Sequence, residues 1–258
     1  MHISRIVLTV VVLSACGASA LTEPSSTPPP QTRTPARILY LTHSAGFTHQ
    51  VLPLSEQILT EIGSRSSTLA VTATKDCSLI SEQGLRGYDG VVFYTTGELP
   101  MDDAQRRALM EFVRGGKGFA GIHSATDTFY NWPEFGEMIG GYFDGHPWHQ
   151  DVRVKVEDRQ HPATAHLQDG FTIRDEIYQH RNWSRDRVHV LLSLDPASVD
   201  LQKDGVKRTD RDFALAWTRT FGSGRVFYTA LGHEPDVWRD PRFQQHLTGG
   251  IEWAIGRR

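Results

Sequence analysis

The sequence contains only two cysteines, Cys16 and Cys77, and it has no run rich in lysine or arginine. Its formal net charge is -3 at pH 7, so the chain lacks the positive surface that nucleic-acid binding requires, and we exclude this class of partner. After the first segment, no apolar stretch approaches the length needed to span a bilayer. With 258 residues, of which 39% are hydrophobic, the chain is long enough for one large α/β domain with a full core.

Several catalytic and binding motifs are also missing. There is no Walker loop, no G-x-G-x-x-G after the first predicted strand and no G-x-S-x-G, which argues against nucleotide binding and serine hydrolysis. No histidine pair has the His-x-x-x-His spacing with an intervening glutamate, and His146-x-x-His149 lies in a proline-containing loop. A divalent metal in a composite site that draws on His43, His123 or His233 stays open, although no spacing supports it. The sequence alone therefore assigns no cofactor and no metal ligand.

The amino terminus has the composition of a bacterial export signal. A short start bearing Arg5 precedes an apolar run that is too short for a stable membrane helix. The segment "LSAC" (13–16) resembles a lipobox, where cleavage before the cysteine leaves Cys16 to carry lipid and to anchor the protein. The alternative is cleavage after Ala18–Ala20, which fits the small-x-small rule for a freely secreted protein. We predict an exported lipoprotein on a periplasmic or cell-surface membrane face, attached by its lipid anchor only.

The residues that follow the signal divide into a tether and a domain. Residues 21–35 are rich in proline, serine and threonine and lack large apolar groups, so burial cannot offset their ordering entropy. If Cys16 carries lipid, Cys77 has no partner for an intramolecular disulfide. The predicted organisation is a signal peptide over 1–15, a lipidated cysteine with a flexible tether over 16–35, and one domain over 36–258.

Strands and helices alternate through the first half of the domain. Apolar, β-rich runs predict strands over 37–43, 69–75, 90–97 and 118–123. Helical apolar spacing predicts intervening segments over 52–62, 79–85 and 102–114. This order is typical of a doubly wound, mainly parallel α/β sheet that helices cover on both faces. The second half adds β-rich segments and a last helix, predicted over 151–158, 170–179, 189–194, a hairpin turning at 222–224, and 241–255.

The segment "GGKGFAGIHSATDTFY" (115–130) has the outline of a nucleophile elbow, the strand-turn-helix corner written G-x-S-x-G in hydrolases. Gly121 begins the pattern, Ala125 ends it, and His123 occupies the position of the nucleophile. Histidine is seldom the attacking group in acyl transfer. The sequence therefore predicts a corner of the same shape with different chemistry.

Polar side chains stand where predicted strands end, and ligands of open α/β sheets bind beyond the carboxyl ends of the strands. At these ends lie His43, Glu98, His123, Ser124, His233 and Glu234. The polar and aromatic loops between the strands carry His49, Asp144, His146 and Trp148. In the predicted strand 170–179, alternation sends Glu176 and Tyr178 to one face. Aromatic rings cover the C–H face of a sugar while carboxylates and imidazoles bind its hydroxyls, so we predict a small carbohydrate as ligand.

Six segments, taken together and in order, resemble the ThuA-like family, which is named for bacterial trehalose utilisation. They are "YLTHSAGFTH", "GGKGFAGIHSATDTF", "GGYFDGHPW", "HPATAHL", "DEIYQ" and "GSGRVFYTALGHE". The resemblance covers residues 36–256 and implies the flavodoxin-like fold of class I glutamine amidotransferases. Those enzymes have a cysteine at the corner where this sequence has His123, so glutaminase chemistry through a thiolate is excluded there. The resemblance also implies bacterial sugar metabolism, with links to trehalose, related disaccharides and their oxidised keto-sugar forms.

The residues and the resemblance together lead to one predicted function and two alternatives. We predict an exported enzyme, a hydrolase, lyase or isomerase, that acts on a sugar, glycoside or keto-sugar by acid–base chemistry. The predicted catalytic residues are His123, His233, Glu176 and Glu234. The predicted substrate-binding residues are His43, His49, Glu98, Ser124, Asp144, His146, Trp148 and Tyr178. The alternatives are a non-catalytic sugar-binding lipoprotein and a metal-dependent hydrolase.

Overall fold

The computed structural model describes His2, residues 7–11 and residues 34–257. Residues Arg33–Arg258 form one compact unit, and the fold given below is that of this unit. The predicted lipidation site, Cys16, and the two predicted cleavage sites lie outside the described residues. In the described part of the chain, no helix is long and apolar enough to cross a membrane.

Eleven strands and five α-helices are present in the described residues. The strands are β1 Ala36–Leu41, β2 Leu69–Thr74, β3 Gly90–Phe93, β4 Gly118–Ile122, β5 Tyr142–Phe143, β6 Trp148–Val156, β7 Gly170–Ile177, β8 His180–Arg181, β9 His189–Leu194, β10 Ala214–Phe221 and β11 Gly224–Thr229. The helices are α1 Leu52–Arg65, α2 Asp103–Arg114, α3 Pro133–Ile139, α4 Pro235–Arg239 and α5 Pro241–Ala254.

Nine of the strands form one sheet in the order β2-β1-β3-β4-β11-β10-β9-β6-β7. The first five are parallel to one another, which confirms the predicted parallel, doubly wound part of the sheet. The other four extend the sheet through antiparallel pairs. Because direction alternates there, β7 runs the same way as β4, and β6 runs the opposite way. The carboxyl ends of β1, β3, β4, β11 and β7 and the amino end of β6 therefore point the same way, toward what we call the carboxyl edge.

The β6–β7 pair is a two-stranded ribbon, most of which has no pairing with β9. Eight residue pairs join β6 to β7, from Trp148 opposite Ile177 to Lys155 opposite Gly170. Only the last three residues of β6, Val154–Val156, pair with β9. The rest of the ribbon extends beyond β9, and its far end carries Glu176 toward the carboxyl edge.

Local sequence explains where the longer helices begin and how closely they pack. At the start of α2, the Gln105 N–H donates to the Asp102 carboxylate at 2.8 Å, and the Asp102 N–H donates to the Gln105 side-chain oxygen at 3.1 Å. This reciprocal pair is a capping box, which satisfies N–H groups that a helix start leaves free. Helix α5 packs on β4 and β11. At Gly250, a Cβ atom would lie only 2.4 Å from the Phe227 ring, so glycine sets this close approach.

Local structure differs from the prediction at four places. Residues 79–85 do not form a helix: a 3-10 turn over Cys77–Leu79 leads into further turns, and at Gly84 a Cβ would lie 2.3 Å from a backbone oxygen. Glycine and the short length both disfavour a helix there. Strand β3 ends four residues before the predicted end, and β6 begins three residues before the predicted start. Helix α3, where the sequence predicts no helix, has proline at its start and Gly140 in the left-handed region at its end.

Candidate functional site

The predicted corner at the end of β4 is present and holds His123 in an uncommon backbone conformation. His123 has φ +46°, in the left-handed region, and begins a 3-10 helix over His123–Asp127. A residue other than glycine in this region costs about 1–3 kcal/mol unless its surroundings hold it. Here the Tyr228 hydroxyl donates to the His123 carbonyl at 2.7 Å. Gly121 leaves the space, since a Cβ there would lie 3.0 Å from the Ile139 and Tyr228 side chains.

The His123 ring is fully buried, and its two nitrogens have different partners. Nδ1 lies 2.7 Å from the Ala230 carbonyl oxygen, and because a carbonyl only accepts, Nδ1 carries the proton. In the neutral ring, Nε2 then has a free lone pair and accepts from the Tyr178 hydroxyl at 2.9 Å. The corner therefore presents an imidazole nitrogen, where a hydrolase presents a hydroxyl or a thiol.

Glu176, near the end of β7, and His233, after β11, meet His123 at this nitrogen. Glu176 Oε2 lies 3.0 Å from His233 Nδ1 and 3.5 Å from His123 Nε2. The two histidine nitrogens are 3.3 Å apart. Three of the four predicted catalytic side chains thus come together, although they belong to widely separated parts of the sequence.

A buried carboxylate, Asp175, fixes the backbone that carries His233 and Glu234. Its Oδ2 accepts the Gly232 N–H at 2.7 Å, and its Oδ1 accepts the His233 and Glu234 N–H groups at 3.0 and 3.1 Å. Burial raises the pKa of Asp175 even though these N–H groups favour the charged form. The predicted site does not include Asp175; the only signal was its position beside Glu176 at the end of a predicted strand.

His49, in the loop after β1, packs against His123 and His233. Its ring is buried and makes edge-on contacts with the rings of His123 and His233, at centroid distances of 5.0 and 5.3 Å. Its Nδ1 is buried without a hydrogen-bond partner among the described residues. The Thr96 hydroxyl holds this loop by donating to the Phe47 carbonyl at 2.7 Å. The Phe47 ring lies beside His49 and is 64% exposed.

Three further side chains border the group. His149, at the amino end of β6, lies opposite Glu176 in the ribbon and forms a hydrogen bond through Nε2 with Glu234. His146 Nδ1 lies 3.8 Å from Glu176 Oε1, and its half-exposed ring stacks on Tyr178. The prediction missed His149 as a site residue, because its only sequence signal was its spacing from His146.

The pKa values of the ionisable side chains in this pocket are shifted in different directions. Burial alone would raise the pKa of Glu176, but its contacts with His123 and His233 hold that pKa well below its usual range, so Glu176 is a carboxylate. Burial, together with the charge of the neighbouring histidines, lowers the pKa of His49 to about 3, so its ring is neutral at neutral pH. Burial disfavours the charged form of His233 as well, yet the hydrogen bond and the charge of Glu176 raise its pKa.

Five predicted substrate-binding residues have other surroundings. His43 Nδ1 bonds to a backbone carbonyl at 2.9 Å, and Glu98 accepts a backbone N–H at 3.0 Å. Asp144 pairs with a lysine at 2.6 Å, and the buried Trp148 donates to a backbone carbonyl at 3.0 Å. Ser124 lies in the corner with its hydroxyl buried and unpartnered among the described residues. The residues that do come together are His49, His123, His146, Glu176, Tyr178, His233 and Glu234.

Two overlapping sets of these side chains are spaced closely enough to hold a metal ion. In each set, every residue offers a ligand atom, and all these atoms lie within 4.8 Å of one another. The inner set is His49, His123, Glu176 and His233. The outer set is His149, His233 and Glu234. Imidazole nitrogens and carboxylate oxygens are donors that divalent transition metals accept.

The fold and this site define a class of protein: a flavodoxin-like α/β protein with a histidine at the strand-end corner and a pocket of histidines and carboxylates at the carboxyl edge. The model of one family, described as ThuA, trehalose utilisation, matches residues 37–254. The chain belongs to the ThuA family, which indicates a role related to carbohydrates. No curated protein sequence matches it.

Solved structures of similar proteins support the fold. A ThuA-like protein from Bacteroides uniformis ATCC 8492 is 24% identical, with a TM-score of 0.73, over 86% of this chain and 92% of that one. A ThuA-like protein from Parabacteroides merdae ATCC 43184 is 22% identical, with a TM-score of 0.68, over 86% and 90%. The cytoplasmic protein STM3548 from Salmonella typhimurium is 12% identical, with a TM-score of 0.58, over 84% and 98%. At these identities the likeness concerns the fold alone, and the predicted fold class is confirmed.

Proposed function

We propose that the chain is an enzyme that acts on a carbohydrate at the carboxyl edge. The observation that carries the proposal is the meeting of His123, Glu176 and His233, whose facing atoms lie 3.0 to 3.5 Å apart. Ionisable groups packed this closely in a partly buried pocket are typical of functional sites. The predicted fourth catalytic residue, Glu234, borders the same pocket through the backbone that Asp175 holds.

Two features favour a carbohydrate as the substrate. The first is the family description, trehalose utilisation. The second is the border of the pocket, where the exposed Phe47 ring and the half-exposed His146 ring offer flat faces to the C–H side of a sugar. Glu234 and His149 stand beside them and bind hydroxyls. A protein that only binds a sugar needs these border residues, but it does not need a carboxylate enclosed by two imidazoles.

The residues of the pocket fall into two groups with different tasks. Glu234 is partly exposed and bonded to His149, so it is placed to take a proton from the sugar or to return one. His123, Glu176 and His233 lie deeper and form the part of the pocket that faces the reacting oxygen of the sugar. Hydrolysis, elimination and isomerisation all fit this arrangement, because none of them requires a covalent nucleophile.

Turnover of a panel of sugars by the purified full chain tests the proposal. The panel contains trehalose, related disaccharides and their keto-sugar forms, and we expect conversion of at least one. Loss of the proton-transfer group in Glu234→Gln lowers kcat by about 100-fold or more. The matched control is Asp236→Asn, which removes the same charge two residues away, where the carboxylate is 97% exposed. If a sugar raises the melting temperature but is not converted, the protein is a sugar-binding protein and the proposed enzymatic activity is wrong.

We also propose that the protein is exported and anchored through lipid on Cys16. The support is the sequence alone: the apolar run, the "LSAC" segment and the tether that follows it. Cells that produce the full chain and are fed a labelled fatty acid show label on the wild-type protein and none on Cys16→Ala. Secretion of an unlabelled wild-type chain cut after Ala20 would favour free secretion instead.

A further inference from the structure

We propose that one divalent first-row transition-metal ion binds at the carboxyl edge, held by four side chains: His49, His123, Glu176 and His233. This inference extends the proposed function. Only the catalytic role of the ion rests on the proposed function; the binding of the ion does not. Metal binding itself is measured without any sugar. A failure to find a substrate and a failure to bind metal are therefore separate results.

The spacing of three donor atoms fits an ion at their centre. His123 Nε2, His233 Nδ1 and Glu176 Oε2 form a triangle with sides of 3.0, 3.3 and 3.5 Å. Metal–ligand distances of about 2.0–2.2 Å place neighbouring donor atoms roughly 2.9–3.5 Å apart in octahedral or tetrahedral sites. The triangle therefore has the size of one face of a coordination shell.

The orientation of His123 presents a nitrogen that can bind a cation. His123 carries its proton on Nδ1, where the Ala230 carbonyl accepts it, so Nε2 is left as an electron-pair donor. The Tyr178 hydroxyl donates to Nε2 at 2.9 Å, and the Glu176 carboxylate oxygen lies 3.5 Å from the same nitrogen. A cation that takes the place of the Tyr178 hydroxyl at Nε2 binds both the nitrogen and the carboxylate oxygen. A backbone carbonyl that orients a ring from behind is also usual for metal-bound histidines.

His49 gives an independent indication of a missing partner. The residue is 95% buried, since its exposed fraction is 5%, and one of its ring nitrogens belongs to the inner set. Its Nδ1 is buried without a hydrogen-bond partner among the described residues. A buried polar atom without a partner costs about 1–3 kcal/mol, so native proteins rarely keep one without a reason. If Nδ1 is the nitrogen that binds the ion, the metal provides the partner that this atom lacks.

The donor set selects the type of ion. Three imidazole nitrogens and one carboxylate oxygen suit Mn²⁺, Fe²⁺, Co²⁺ or Zn²⁺, whereas Ca²⁺ and Mg²⁺ prefer oxygen ligands throughout. Four protein ligands leave one or two positions free on a five- or six-coordinate ion. Such an ion polarises the reacting oxygen of a bound sugar as a Lewis acid. Glu234 and Tyr178 lie outside the inner set and stay available for proton transfer and hydrogen bonding.

Metal titration of the full chain, stripped with a chelator, tests the inference. Zn²⁺, Mn²⁺ and Co²⁺ are added singly to the metal-free protein, and bound metal is measured by elemental analysis after gel filtration. We expect one equivalent per chain for at least one ion and a higher melting temperature of the loaded protein. Co²⁺ also gives a visible absorption spectrum, which reports its coordination in the wild-type protein and needs no variant.

Two variants locate the ion. Glu176→Gln keeps the shape of the side chain but removes its charge, and we expect metal affinity at least tenfold lower. His166→Gln is the control, since His166 is exposed, bonds to the Arg242 carbonyl and belongs to neither set of candidate metal ligands. If Glu176→Gln is unfolded by circular dichroism, His233→Asn takes its place. The inference is overturned if the wild-type protein binds no stoichiometric metal, or if folded Glu176→Gln and His233→Asn both keep wild-type affinity.

Discussion

Acid destabilises this fold through histidines that are buried in their neutral form, and His246 allows the effect to be measured. His246 lies in α5, is 2% exposed, and donates from Nδ1 to the Ala163 carbonyl at 2.9 Å. Its Nε2 is buried without a hydrogen-bond partner among the described residues, and its ring lies between Phe227 and Phe243. Burial lowers the pKa of His246 to about 4, from 6.5.

The sign and the size of the effect follow from these two pKa values. Between pH 6.5 and about 4, the unfolded chain binds a proton on His246 and the folded chain does not. The contribution of His246 to stability is therefore complete above pH 6.5 and is lost as the pH falls. One proton taken up on unfolding corresponds to about 1.4 kcal/mol per pH unit, so the loss reaches about 3 kcal/mol near pH 4.

Urea unfolding between pH 7.5 and 4.5, with a chelator present throughout, measures the slope. In His246→Asn, the amide nitrogen takes the place of Nδ1 and no group titrates. This variant is less stable by about 1–3 kcal/mol at pH 7.5, because of the cavity it leaves. Its slope below pH 6.5 is shallower than that of the wild type by about 1.4 kcal/mol per pH unit. Phe243→Leu is the control, with a cavity in the same place and an unchanged slope. Equal slopes for wild type and His246→Asn would refute the reasoning.

Three further predictions concern the carboxyl edge and the helix packing. Asp175→Asn replaces one carboxylate oxygen that accepts from the N–H groups at 232–234 by an N–H donor. Unfolding in urea then shows a free energy of unfolding that is lower by about 1–3 kcal/mol; an unchanged value would contradict the stabilising role of Asp175. Gly250→Ala places a methyl group 2.4 Å from the Phe227 ring, so calorimetry shows a free energy of unfolding that is lower by about 1–3 kcal/mol. An unchanged melting temperature would disprove this prediction. Phe47→Ala raises KM for the sugar and leaves kcat near its wild-type value, since we propose that this exposed ring stacks on the substrate; an unchanged KM would remove Phe47 from the proposed binding site.

The sequence predicts most of the sheet because the parallel strands other than β2 are buried on both faces over most of their length. Such strands are short, continuous apolar runs, and "GVVF" in β3 and "GFAGI" in β4 are examples. Gly222 and Gly224 mark the hairpin between β10 and β11. Apolar spacing fails at 79–85, because a few apolar residues can line a helix or a series of turns equally well. The segment is short, and Gly84 lies so close to the Leu79 carbonyl oxygen that a Cβ would be 2.3 Å from it.

The candidate site is less predictable because long-range pairing assembles it. His123 and His233 could be found from their places at strand ends, and Glu176 from strand alternation. That Glu176 reaches His123 depends on the β6–β7 ribbon, of which only three residues pair with β9. The role of His49 depends on a loop whose course is set by tertiary contacts. The sequence around His49 therefore does not predict how far its ring lies from His123 and His233.

The corner at β4 shows how one backbone shape serves different chemistry. A strained turn at the end of a strand projects one side chain into the carboxyl edge, whatever that side chain is. A serine or cysteine there presents a nucleophile close to the backbone, whereas an imidazole carries its reactive nitrogen farther out and needs a second support. In this protein the Ala230 carbonyl gives that support and fixes the proton on Nδ1. If His123 only filled space, the strain at φ +46° would destabilise the fold and serve no function. The strain is explained if the turn serves to direct Nε2 toward Glu176 and His233.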